Sequence, residues 1–99
     1  MIIEKTEIFE KWLKRLKDEQ AKGCINIKIK RIETENYFGD CRSVGDGIFE
    51  LRIFVGPGYR IYFYYKDERV IMLLCGGNKK TQKRDIKTAK QILKGEYKL

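Results

Sequence analysis

The side chains best suited to chemistry on a phosphate group lie in one stretch of this chain, residues 47–65. Alternating β-branched and aromatic residues on both sides of Gly56-Pro57-Gly58 indicate two β-strands joined by a turn. Successive side chains of a strand point to opposite faces of its sheet, so one face gathers two guanidinium groups, a carboxylate, two phenols and a phenyl ring. These are Arg52, Arg60, Glu50, Tyr62, Tyr64 and Phe54. Because a guanidinium group presents a planar fork to phosphate oxygens, we expect the function of the chain on this face.

The turn predicts how the two strands pair. If Val55 faces Tyr59 across the glycines, the same register pairs Arg52 with Tyr62. The other face of the two strands is apolar, and we expect helices to cover it. Its residues are Phe49, Leu51, Ile53, Val55, Ile61, Phe63 and Tyr65.

The first 35 residues contain one clear helix and one ambiguous segment. Apolar residues at helical spacing predict an amphipathic helix over residues 6–16, with Thr6 as the N-cap. In the second segment, isoleucines alternate with polar residues at 25–29, as in a strand. A helical stripe preceded by Asp18 as an N-cap fits the same residues, so periodicity leaves both interpretations open.

The rest of the chain predicts further strands and a basic helix. We expect strands at residues 41–44 (a short edge strand), 48–55, 59–66 and 69–75. Gly76-Gly77-Asn78 ends the last strand, and apolar residues at helical spacing predict a helix over residues 81–94. Lys79 and Lys80 therefore lie at a helix N-terminus, where anions are favoured, although such a turn alone is weak evidence for a site.

The net charge of +8 is concentrated at the C-terminal end. Residues 78–99 hold eight cations against two carboxylates, a net charge of +6. The cations are Lys79, Lys80, Lys83, Arg84, Lys87, Lys90, Lys94 and Lys98. A basic patch beside a polar sheet face predicts a polyanionic partner, whereas a solvated helix face that maintains solubility explains the charge equally well.

Length and composition predict one cytoplasmic domain over residues 1–99, without a metal or a cofactor. Ninety-nine residues are enough to form a core without disulfide bonds. The chain has no run of about 18 apolar residues and no signal region at its start. With three widely spaced cysteines and no histidine, neither a disulfide framework nor a structural zinc site is expected.

Three motifs follow one another at the spacing found in a family of toxins. They are GIFELRI (residues 47–53), GPGYRIYF (residues 56–63) and LLCGGNKKTQ (residues 73–82). With these motifs the chain resembles the RelE/ParE superfamily of type II toxins, in particular its phage Gp49-like, HigB-like branch of addiction module killer proteins. The resemblance covers nearly the whole chain.

The resemblance implies both a fold and a function. The fold is α+β, with two N-terminal helices packed on a small, mostly antiparallel β-sheet and a C-terminal helix, so the ambiguous segment is expected to be helical. The function is that of the toxin in a toxin–antitoxin system, a ribosome-dependent mRNA endoribonuclease (mRNA interferase) that arrests translation. A cognate antitoxin, usually with a helix-turn-helix domain, is expected to silence it in a hetero-oligomeric complex.

A nuclease of this kind needs positive charge that stabilises the phosphate and groups that transfer protons. We expect these side chains to supply both. We expect Arg52 and Arg60 to hold the scissile phosphate and Lys79 to add charge or act as a base. Tyr62 is expected to donate a proton or stack on a base, and Glu50 to orient an arginine. A second group is expected to bind the RNA: Lys80, Tyr64, Lys83, Arg84 and Lys87. Because the chain has no histidine, a histidine-based mechanism is excluded.

Two other functions fit the same sequence. ParE-like members of the superfamily inhibit DNA gyrase, and the basic sheet face favours the nuclease over this activity. The missing histidine also fits a non-catalytic module that binds nucleic acid or an antitoxin.

Overall fold

The computed structural model describes residues 1–97, which form three α-helices and one five-stranded sheet. The strands are β1 (Ile2–Lys5), β2 (Cys41–Gly45), β3 (Ile48–Ile53), β4 (Tyr59–Asp67) and β5 (Val70–Gly77). The helices are α1 (Glu7–Arg15), α2 (Glu19–Glu35) and α3 (Gln82–Leu93). The strand order is β1-β5-β4-β3-β2, and all neighbouring strands are antiparallel except β1 and β5. The expected α+β fold with a mostly antiparallel sheet is confirmed.

Helices α1 and α2 cover the apolar face of the sheet. Thr6 accepts a hydrogen bond from the backbone N–H of Phe9, and Asp18 accepts one from that of Ala21, so both predicted N-caps are confirmed. The ambiguous segment is a helix, and its buried stripe packs on the sheet together with Phe9. This stripe consists of Ala21, Ile25, Ile29 and Ile32. None of the helices in residues 1–97 is long and apolar enough to cross a membrane.

Helix α3 covers much of the opposite face and forms a second apolar cluster there. The buried residues of this cluster are Ile48, Tyr62, Leu74, Cys75 and Ala89. We expected the function of the chain on this face, and α3 buries part of it. Its end beside the β3–β4 loop is left uncovered by α3, and the candidate site lies there.

The predicted pairing of β3 and β4 is wrong by two residues. Ile53, not Val55, faces Tyr59, so Arg52 lies opposite Arg60 and Glu50 opposite Tyr62. The reason is a longer loop: the N–H of Val55 bonds back to the carbonyl of Ile53, and Gly58 bonds to Val55, so residues 54–58 leave the ladder. A shift of two residues preserves the face of every side chain, which is why the predicted polar set still shares one side.

Candidate active site

The uncovered end of the sheet contains a small cavity with a strongly positive lining. Its volume is about 230 Å³, and three cations line it: Arg52 of β3, Arg60 of β4 and Lys79 of the turn after β5. The other lining residues are Ile53, Phe54, Gly58 and Tyr59, so none of the carboxylates in residues 1–97 lines this arginine cavity. A cavity of this size and charge suits a phosphate group.

The two arginines are direct cross-strand neighbours, an arrangement that mutual repulsion disfavours. A separate carboxylate balances each charge. Arg52 bonds to Asp40 through Nε (3.0 Å) and Nη2 (2.9 Å), and Arg60 Nε lies 3.8 Å from Glu50 Oε2. The guanidinium groups are thereby fixed beside each other at the cavity wall.

Arg60 is held more tightly than Arg52. Its side chain is 9% exposed, against 38% for Arg52, and its Nη1 donates to the carbonyl of Gly58. Within residues 1–97, Arg60 Nε is buried without a hydrogen-bond partner. Arg60 therefore keeps donor capacity that the fold does not use.

Glu50 lies behind the cavity, at the centre of a buried polar cluster. Its Oε1 accepts from Arg42 Nε (2.9 Å), and its Oε2 accepts from Tyr62 Oη (2.9 Å) and Gln82 Nε2 (2.8 Å). Burial opposes the charge, but the hydrogen bonds from Gln82, Arg42 and Tyr62 outweigh it and lower the pKa of Glu50. Glu50 is thus a buried, ionised carboxylate that anchors β2, β3, β4 and the start of α3.

Glu50 and Tyr62, which we expected to take part in catalysis, lie in the interior of the protein. Both are 0% exposed, because α3 covers them. Burial, followed by the hydrogen bond to Glu50, raises the pKa of Tyr62. In this structure neither side chain can touch an RNA strand in the cavity, so the expected stacking or proton donation by Tyr62 is replaced by a supporting role.

The position of Lys79 is set by a capped turn. Asn78 accepts hydrogen bonds from the N–H groups of Lys80 and Thr81, and Thr81 Oγ1 accepts from the N–H of Asn78. This capping box forms a short 3₁₀ turn, residues 79–81, between β5 and α3. Lys79 and Lys80 are exposed on that turn, and Lys79 reaches the cavity.

The remaining predicted RNA-binding residues do not line the arginine cavity. Lys83, Arg84 and Lys87 are exposed on α3, while Tyr64 is half-buried and packs on the cluster beneath α3. Of the predicted set, Arg52, Arg60 and Lys79 line the compact cavity, and Lys83, Arg84 and Lys87 form a basic surface on α3.

Three residues of the site were missed in the sequence. Asp40 lies in a loop and Arg42 on the edge strand β2, and only the pairing of β2 with β3 brings Arg42 opposite Glu50. Gln82 fits the LLCGGNKKTQ motif, which gave a signal, but we preferred helix capping and packing as the explanation of this residue. Among residues 1–97, no group of three or more His, Cys, Asp or Glu side chains could hold a metal ion.

Solved structures with this fold belong to bacterial toxins. The intact E. coli RelBE toxin–antitoxin complex contains a chain that superposes with a TM-score of 0.64 at 15% identity, over 78% of this chain and 94% of that one. A double arginine-to-alanine mutant of E. coli toxin RelE in the free state also gives a TM-score of 0.64, at 14% identity, over 92% and 96% of the two chains. The chain therefore shares the fold of E. coli RelE.

Sequence comparison places the chain more narrowly. Residues 11–94 match the family described as "Phage derived protein Gp49-like", so the chain belongs to the Gp49-like family. An uncharacterized protein of Haemophilus influenzae is 52% identical over 90 residues, covering 91% of this chain and 90% of the relative. The expected membership of the Gp49-like family is confirmed, and so is the expected RelE-like fold.

Proposed function

We propose that this protein is the toxin of a type II toxin–antitoxin pair and that it cleaves messenger RNA on the ribosome, with residues 1–99 acting as a single toxin domain. The observation that carries the proposal is the arginine cavity, in which Arg52, Arg60 and Lys79 converge and which no carboxylate of residues 1–97 lines. The shared fold with E. coli RelE supports the same function.

The arginine cavity supplies charge stabilisation for cleavage by the 2′-hydroxyl. The 2′-oxygen attacks phosphorus, the bond from phosphorus to the 5′-oxygen breaks, and the proton of the 2′-hydroxyl is finally carried by the leaving 5′-oxygen. Negative charge builds up on the phosphate during attack, and fixed guanidinium groups stabilise it. We assign Arg52 and Arg60 to this role.

Proton transfer falls to Lys79 or to the ribosome. A guanidinium group does not release its proton in proteins, and Glu50 and Tyr62 are buried away from the cavity. Lys79 is therefore the cavity cation able to exchange a proton. A ribosome that aligns the 2′-hydroxyl with the phosphate would provide much of the remaining rate enhancement.

The proposed partners follow from the same class of protein. The E. coli toxin is found in a complex with its antitoxin, and we assign this chain a cognate antitoxin, of helix-turn-helix type, in a hetero-oligomeric complex. We assign the action of this chain to ribosomes in the cytoplasm.

One observation favours a second candidate, a non-catalytic module that binds RNA or an antitoxin. The chain has no histidine, and burial removes Glu50 and Tyr62 from contact with a substrate. Few proton carriers are then left at the arginine cavity.

A reconstituted translation reaction with one defined mRNA separates the two candidates. We expect the purified protein to cut the mRNA only when ribosomes are translating it, and Arg52→Ala to lower the cleavage rate by about 10²–10³-fold, as for loss of one transition-state donor. Arg69→Ala is the matched control, because Arg69 is exposed in the β4–β5 turn at the other end of β4. An intact mRNA with a wild-type protein that still binds RNA would favour the binding module.

A further inference from the structure

A second cavity, of about 410 Å³, adjoins the arginine cavity on the side of α2. Arg52 and Phe54 line both cavities, so the two meet at these side chains. Lys28, Arg31 and Tyr37 line the far side of the second cavity. Its lining cations outnumber its single carboxylate, Asp40, which is already paired with Arg52.

Phe54 is the most exposed large apolar side chain described, with 78% of its surface open. It lies in the loop between β3 and β4, and the guanidinium of Arg52 lies 5.5 Å from its ring centre. An exposed aromatic ring between two basic cavities is the arrangement with which proteins bind single-stranded nucleic acid, since every base can stack on such a ring.

Tyr37 offers a second exposed ring, and two cations orient it. Its side chain is 48% exposed, with the guanidinium carbon of Arg31 4.4 Å and Lys28 Nζ 5.9 Å from the ring centre. Such contacts fix the ring through cation–π attraction. Arg31 is also paired with Glu35, whereas Lys28 has no carboxylate within 4.0 Å among residues 1–97.

We propose that a single RNA strand bound in the arginine cavity continues over α2, with bases stacked on Phe54 and Tyr37 and a phosphate beside Lys28. This inference rests on the proposed function, since it takes RNA as the ligand of the arginine cavity. It names a path for the strand towards α2, away from the lysines of α3.

Binding of a six-nucleotide RNA tests this path. The probe is a fluorescein-labelled hexanucleotide with 2′-O-methyl groups, which cannot be cut by 2′-hydroxyl attack, and fluorescence anisotropy gives its Kd at several salt concentrations. We expect Phe54→Ala to raise Kd about 5- to 150-fold, the range for one lost base-stacking contact, and Phe54→Trp to restore binding. We expect Lys28→Ala to reduce the slope of log Kd against log salt by about 0.7, the value for one phosphate contact on a single strand.

Lys30→Ala is the matched control for charge. Lys30 is an exposed lysine of the same helix, but it is paired with Glu33 and lies outside the second cavity. Its loss should leave both Kd and the salt slope unchanged. If Lys28→Ala and Lys30→Ala change Kd and the salt slope equally, Lys28 attracts RNA only through its charge and makes no specific phosphate contact. This result would overturn the path over α2.

Other results also overturn the inference, and they separate it from the proposed function. Weak binding by Arg52→Ala with normal binding by Phe54→Ala and Lys28→Ala would confine RNA to the arginine cavity. If Phe54→Ala binds RNA normally but no longer binds a co-expressed antitoxin, the surface around Phe54 belongs to a protein partner and not to RNA. If the wild-type protein does not bind the hexanucleotide, the path over α2 is wrong, and the ribosome-programmed cleavage reaction decides separately whether the proposed function also fails.

Discussion

The side chains at the arginine cavity fall into two groups that the sequence pattern alone does not separate. Arg52 is partly exposed and held by Asp40, which is also partly exposed, whereas Arg60 is nearly buried and lies against Glu50. Replacing Arg60 would remove a cavity cation and also disturb a buried polar cluster, which is destabilising in itself. Substitution of Arg52 therefore tests the role of the cavity charge with little effect on stability. Substitution of Arg60 would change the cavity charge and the stability together.

Glu50 should make the stability of the protein depend on pH in a predictable direction. Its pKa in the folded protein is lowered from the ordinary value of 4.5. A lowered folded-state pKa stabilises the protein above the unfolded-state value, and the stabilisation disappears as pH falls through the folded-state pKa. We therefore expect Glu50→Gln to reduce the free energy of unfolding near pH 7 by about 1.5–3 kcal/mol, the range for one hydrogen bond to a charged group.

Urea unfolding at pH 7 and at pH 3 measures this effect. The gap between wild type and Glu50→Gln should narrow at pH 3, because this pH lies below the ordinary value of 4.5, where the unfolded chain takes up the proton and the charged carboxylate stabilises the folded protein less. Glu7→Gln is the control, since Glu7 forms an exposed pair with Lys11 and should cost only a few tenths of a kcal/mol. A gap of the same size at both pH values would show that Glu50 is not the buried carboxylate described above.

The elements show where local sequence is informative and where it is not. The N-caps of α1 and α2 and the apolar residues at helical spacing in α3 could be predicted, because capping and helical periodicity depend on residues close together in the sequence. The strand β1 was not predicted: its four residues acquire their partner only through parallel pairing with β5, nearly 70 positions away. The β3–β4 register was missed because two backbone hydrogen bonds in the loop take Phe54 and Val55 out of the ladder.

The same limit applies to the candidate site. Alternation along β3 and β4 correctly placed Arg52, Arg60, Glu50 and Tyr62 on one face of the sheet. It gave no information on how far α3 would cover that face, since this depends on contacts between distant elements. Burial of Glu50 and Tyr62 therefore appeared only in three dimensions.

The junction of β5 and α3 provides a test of packing between elements. A Cβ atom added at Gly77 would collide with the Asp85 carboxylate and approach Thr81 Oγ1 to 2.9 Å. Because Thr81 donates a hydrogen bond to Asp85 at the start of α3, Gly77→Ala should lower the free energy of unfolding by about 1–3 kcal/mol, as for an overpacked core.

Gly23→Ala is the matched control for this prediction. Gly23 lies inside α2, and a Cβ atom there would meet nothing within 4 Å. This substitution should stabilise the protein by about 0.5–1 kcal/mol, because alanine loses less conformational freedom in a helix than glycine does. Thermal or urea unfolding of both variants decides the matter, and a neutral or stabilising Gly77→Ala would contradict the close packing described here.

In the molecule as a whole, the arginine cavity at one end of the sheet lies in a strongly basic protein. The net charge of +8 attracts a polyanion over long distances, while the arginine cavity provides one defined place for a phosphate. The basic surface of α3 and the aromatic cavity beside α2 are two separate regions around that place. We assign the second region to the RNA strand of the proposed function.

Mapping transcript 5′ ends in a bacterial host, within minutes of inducing the protein, tests the proposed function in cells. We predict new 5′ ends inside translated reading frames and their disappearance when translation is blocked before induction. The Arg52→Ala variant, produced at the same level, should leave transcripts intact. Growth arrest without new 5′ ends, accompanied by DNA damage signalling, would contradict the nuclease and point to gyrase as the target.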